Sequence, residues 1–78
     1  MKKGRSGNNI FTQREMEVLT NLAKGKSNNE IAENLTITSH TVKAHIASIY
    51  EKLNVSNRVQ ATVKYLKLID KEDEGIGD

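Results

Sequence analysis

Apolar positions recur along the chain in three- and four-residue steps, interrupted at short intervals by polar residues. Met16, Leu19, Leu22 and Ala23 form the first stripe, which Val18 widens, and they predict a helix over about 13–24. Thr12 and Glu15 have capping-box spacing, Phe11 and Met16 stand at the flanking staple positions, and Gly25 suits a left-handed end. Ser27 and Glu30 repeat the box, and Ile31, Ala32 and Leu35 give a short helix near 28–34 that Asn34 is expected to end. Thr38 or Ser39 caps a third helix over about 39–53, with Val42, Ile46, Ile49, Tyr50 and Leu53 inward and Asn54 closing it. Ser56 is expected to cap a fourth, over about 57–69. The pattern predicts an all-α, four-helix domain.

The fourth helix has two apolar faces. Val59, Val63 and Leu66 fall within about 60° on a helical wheel. Ala61, Tyr65 and Leu68 lie nearly opposite. A terminal helix of a small domain needs one buried face, so the other is a candidate surface for self-association. The spacing does not say which is which, and a wide core stripe or an end covered by the tail would also account for it.

The chain ends read differently. Residues 1–9 have no apolar residue after Met1, so 1–10 is expected to be a flexible arm or linker, and residues 70–78, DKEDEGIGD, an acidic disordered tail. The domain proper is then 11–69. Within 78 residues carrying a net charge of +2, residues 1–69 hold eleven Lys/Arg against five Asp/Glu, whereas the last nine hold one Lys against five Asp/Glu. A basic body favours a polyanion partner, although a solvated surface explains the same charge. The absence of Cys removes disulfides, thiolate zinc sites and thiol nucleophiles. No apolar run approaches the roughly 18–20 residues that span a bilayer, so the expected location is cytoplasmic, with no membrane contact.

Helices two and three, with a short break between them, have the proportions of a helix-turn-helix. The outward face of the third carries His40, Lys43, Ala44, Ala47 and Glu51: small residues, basic near the N-terminus, with nothing bulky and apolar. Such a helix fits a major groove about 12 Å wide. Any small helical bundle meets the same pattern, so a protein-interaction module with incidental basic charge stays open as the alternative.

Longer blocks narrow the choice. FTQREMEVL, AKGKSNNEIAENLTIT and HTVKAHIASIYEKLNVSNRVQA resemble the DNA-binding domain of the LuxR/NarL (GerE-type) family of bacterial transcription regulators. The resemblance covers residues 11–69 and disfavours a sigma-factor-like fragment. It implies double-stranded DNA as partner, a homodimer on that DNA, and RNA polymerase as a further candidate partner. It makes 39–53 the recognition helix, with Lys43 and Ala44 at base edges and Ala47 at a further reading position. Family members often carry a long basic side chain at that last position, whereas Ala47 offers only a methyl group. Ser39, His40 and Thr41 would approach phosphates and His45 the groove edge, with Lys26 and Arg58 as further backbone-contact candidates. Arg58 has a second reading, as a tie between helices. The fourth helix would supply the dimer contact, drawn from Val59, Val63 and Leu66 or from Ala61 and Tyr65.

Enzyme-like signals fail one by one. Gly25-Lys26-Ser27 echoes a phosphate-binding loop, but the Gly required five residues earlier is Thr20. His40 and His45 are separated by about 140° on a helix and cannot share a metal from one face. No nucleophile–base–orienter trio is visible. The expectation is a non-enzyme without metal, cofactor or small-molecule ligand.

Overall fold

The computed structural model describes residues 10–77 in backbone and residues 10–69 in side chain. Most of the arm expected at 1–10, the side chains of the acidic tail, and residue 78 lie outside the described residues. Four helices follow one another: α1 (Gln13–Ala23), α2 (Asn28–Leu35), α3 (Ser39–Leu53) and α4 (Arg58–Gly77).

The caps explain where the helices start. Thr12 Oγ1 accepts from the Glu15 N–H at 3.1 Å while Glu15 Oε1 accepts from the Thr12 N–H at 3.0 Å, a complete capping box. Ser27 and Glu30 repeat it at α2, at 3.1 and 2.8 Å. Thr38, of the two candidates, caps α3 by accepting from the Thr41 N–H at 3.1 Å. At α4 the cap shifts by one residue: Asn57 Oδ1, rather than Ser56, accepts from the Gln60 N–H at 2.9 Å. The Gln60 side chain in turn accepts from the Ser56 N–H at 2.8 Å. Gln60, three residues after Asn57, thus gives its N–H to the cap and its side-chain oxygen to the residue before the cap, whereas Val59, three after Ser56, has no side-chain acceptor.

The helix ends share one device. After α1, α2 and α3 the chain turns through a left-handed residue: Gly25 (φ +89°), Thr36 (φ 59°) and Asn54 (φ 59°). The Lys26, Ile37 and Val55 N–H groups then reach back to the Asn21, Ala32 and Tyr50 carbonyls, at 3.2, 2.9 and 2.9 Å. Asn34, the expected left-handed residue of α2, stays helical, and Thr36 turns the chain instead. Leu35 therefore remains in α2, and Ile37 swings onto the core. That apolar contact stabilises a backbone that a β-branched residue seldom adopts.

The helices enclose Val18, Leu19 and Leu22 of α1, Ile31 and Ala32 of α2, Val42, Ile46, Ile49 and Leu53 of α3, and Ala61 of α4. Each larger member contributes about 1.5–3 kcal/mol by leaving water. Tyr65 packs beside Ala61, its hydroxyl 3.4 Å from Thr20 Oγ1 on α1. The two faces of α4 thus differ in burial: Ala61 is buried and Tyr65 half-buried, on the side that meets α1. Val59, Val63 and Leu66 stay exposed, at 71%, 45% and 47%. The backbone of α4 continues to Gly77, past the expected end at 69 and through a stretch whose composition reads as disordered. From Arg58 to Glu74 no Gly or Pro interrupts it, and Lys and Glu are good helix formers.

Candidate nucleic-acid interface

α3 is amphipathic by construction. Val42, Ile46, Ile49 and Leu53 anchor it on α1 and α2, which leaves His40, Lys43, Ala44, Ala47 and Glu51 exposed in a strip along the other side. At about 100° per residue these five span roughly one quadrant of the helix. The strip is polarised: His40 and Lys43 stand toward the helix N-terminus, and Glu51 two turns beyond Lys43. A phosphate-lined groove therefore accepts its first half and is repelled by its end. Thr41 and His45 lie beyond the Ala44 edge of the strip, half-buried. Ser39 is half-buried too, four residues before Lys43 and about 40° from it on the wheel, at the other edge of the strip.

A polar cluster behind the strip fixes α3 in place. Glu15 is 6% exposed, and its Oε1 accepts from Lys52 Nζ at 2.6 Å while its Oε2 accepts from the Ser48 hydroxyl at 2.7 Å. The Lys52 ammonium and the Ser48 hydroxyl hold the Glu15 carboxyl down to about 2, against desolvation that acts in the opposite direction. Lys52 Nζ also donates to the Ile10 carbonyl at 2.9 Å and lies 5.9 Å from the Phe11 ring centroid. One carboxylate thus closes the first turn of α1 and ties down α3 at Ser48, next to Ala47, and at Lys52. Sequence reading finds the box and misses the rest, because nothing along the chain links Glu15 to residues 33 and 37 positions away.

α2 is held to α1 by a smaller relay. Asn34 Nδ2 donates to Asn21 Oδ1 at 2.8 Å, and the Asn21 Nδ2 donates to the Glu17 carbonyl at 2.8 Å. Lys26, half-buried, lies in the α1–α2 turn just before the Ser27 cap. Arg58 is turned into the fold. Its Nη1 donates to the Lys26 carbonyl at 2.9 Å and the Leu22 carbonyl at 3.5 Å, and its Nη2 donates to Asn28 Oδ1 at 3.0 Å. The helix-tying reading of Arg58 is the one this geometry realises.

The family model described as bacterial regulatory proteins, luxR family, matches residues 9–65. The chain belongs to the luxR family of bacterial regulatory proteins. It is 48% identical over 58 residues to the nitrate/nitrite response regulator protein NarP of Escherichia coli (strain K12), covering 74% of this chain and 27% of NarP. It is 56% identical over 53 residues to the transcriptional regulatory protein LiaR of Bacillus subtilis (strain 168), covering 68% of this chain and 25% of LiaR. The chain thus spans about a quarter of the length of these relatives. Among solved structures, the transcription factor GerE superposes with a TM-score of 0.71 at 37% identity, over 77% of this chain and 90% of GerE. The DNA-binding domain of the response regulator ComA, solved in complex with the anti-activator RapF, superposes with a TM-score of 0.68 at 34% identity, over 70% of this chain and 95% of that one. This luxR-family domain is a DNA-binding helix-turn-helix, in which α2 and α3 form the motif, and its family is one of regulators rather than enzymes. Among the described residues no helix is long and apolar enough to cross a membrane.

Proposed function

We propose that this luxR-family domain reads double-stranded DNA with α3 in the major groove, as part of bacterial transcription regulation in the cytoplasm. The observation that carries the reading is the exposed strip His40–Lys43–Ala44–Ala47 on a helix whose other side is locked into the core. Lys43 reaches a base edge as a donor, with guanine O6 and N7 the matching acceptors. Ala44 and Ala47 let the backbone come close and offer methyl contact, for which the thymine methyl is the partner. His40, Thr41 and the amides at the start of α3 sit against phosphate, and His45 lies at the groove edge. Lys26 adds a phosphate contact from the α1–α2 turn.

Two copies bind together, each presenting Val59, Val63 and Leu66 to the other. Exposed apolar side chains in one row favour this, as does the shallow groove that Asn54, Val55 and Lys64 form beside Val59 and Val63. A two-fold pair places its reading helices on half-sites about 10 bp apart. Titrating a fluorescent duplex across a salt series tests the DNA reading. A falling log K against log[salt] supports it, and a flat response removes the phosphate contribution on which it depends.

A further inference from the structure

We infer that Arg58 is a positioning residue for DNA contact: it holds the α1–α2 turn in the conformation that lets Lys26 and the start of α2 meet a phosphate. The inference rests on the DNA-binding reading above and adds to it a residue that touches no DNA. Arg58 stands in the first turn of α4, and its guanidinium crosses to the turn, donating to the Leu22 and Lys26 carbonyls and to Asn28 Oδ1. The two carbonyls bracket the C-terminal end of α1, where a cation is favoured, and Asn28 is the first residue of α2. One planar fork therefore fixes the end of one helix against the beginning of the next. The segment between them turns through Gly25 (φ +89°), held by backbone bonds from the Gly25 and Lys26 N–H groups to the Leu22 and Asn21 carbonyls, and the fork is the side-chain restraint added from α4.

That segment carries the charge. Lys24 and Lys26 sit on it, followed by Ser27 and by Asn29 on the exposed side of α2. A phosphate contact made by a loose turn bears an ordering cost that a clamped turn does not. Lysine in place of Arg58 brings the same charge but one donor group in place of the fork, so it cannot hold both helix ends.

The test uses the full chain with a random 20-bp duplex and the variants Arg58→Gln, Arg58→Lys, Lys26→Gln and Arg58→Gln/Lys26→Gln, each measured for thermal midpoint and for the slope of log K against log[salt]. Arg58→Gln is expected to lower the magnitude of the slope by about 0.9, the value of one phosphate, as Lys26→Gln does. The double variant is expected to lose no more than either single one, because both remove the same contact. Arg58→Lys should fall with Arg58→Gln in slope. If Arg58→Gln fails to fold, Arg58→Lys with and without Lys26→Gln makes the same comparison. Losses that add in the double variant would mean that Arg58 meets a phosphate itself. A lowered thermal midpoint with an unchanged slope would mean that it serves stability alone. Either result overturns the inference with the DNA reading intact, whereas a flat slope for the unsubstituted chain overturns the DNA reading first and this with it.

Discussion

Glu15 joins two structural requirements in a single carboxylate. It accepts from the Thr12 N–H to start α1, and from Ser48 and Lys52 to hold α3. Since the folded-state value is depressed from 4.5 to about 2, the stability it contributes is fully present above about 4.5 and is lost as the pH falls toward 2. Full linkage is reduced by solvent around the half-open Lys52, leaving about 1–2 kcal/mol. Urea midpoints measured between pH 7 and pH 2 should show that loss, and Glu15→Gln should be less stable at pH 7 with a flatter acid limb. Lys43 is the complementary case, an exposed side chain that the fold does not use. Lys43→Ala should change the unfolding free energy by less than about 0.5 kcal/mol and erode the preference for a selected duplex over a random one by about 1–3 kcal/mol. Equal weakening on both duplexes would assign Lys43 to phosphate.

At the scale of elements, stability is set by the core stripe and by the turns. Leu22→Ala, at the centre of the α1 stripe, should cost about 2–5 kcal/mol and leave little folded protein, since a domain this small has little to spare. Thr36→Asn should act the other way, raising stability by about 0.5–1 kcal/mol in thermal unfolding, because Asn tolerates the left-handed turn that a β-branched residue resists. The helix starts are legible in the sequence because a capping box is local: T-x-x-E and S-x-x-E state their own hydrogen bonds. The α2 end and the α4 cap are less so. Asn34 and Ser56 are common residue types for those roles, but the position of Ile37 relative to the core decides the first, and Gln60 as the partner of Asn57 decides the second. The exposed strip of α3 follows directly from the spacing of Val42, Ile46, Ile49 and Leu53. The Glu15–Ser48–Lys52 cluster does not, since it depends on how α1 and α3 cross.

At the scale of the molecule, the two faces of α4 show why periodicity alone is insufficient. Both faces are apolar, and the packing of Ala61 and Tyr65 against α1 is what leaves Val59, Val63 and Leu66 exposed, the row proposed to meet a second copy. Val63→Glu should therefore give a folded chain that sediments as a monomer, whereas Tyr65→Glu should lower the thermal midpoint. The account as a whole rests on which surface meets the duplex, and amide chemical-shift mapping of the chain titrated with a selected duplex reads that out. The shifts should concentrate on Thr38–Ala47 and on the α1–α2 turn at 24–29. If they centre instead on the outer face of α4 and leave Lys43, Ala44 and Ala47 unmoved, then α3 is not the reading helix.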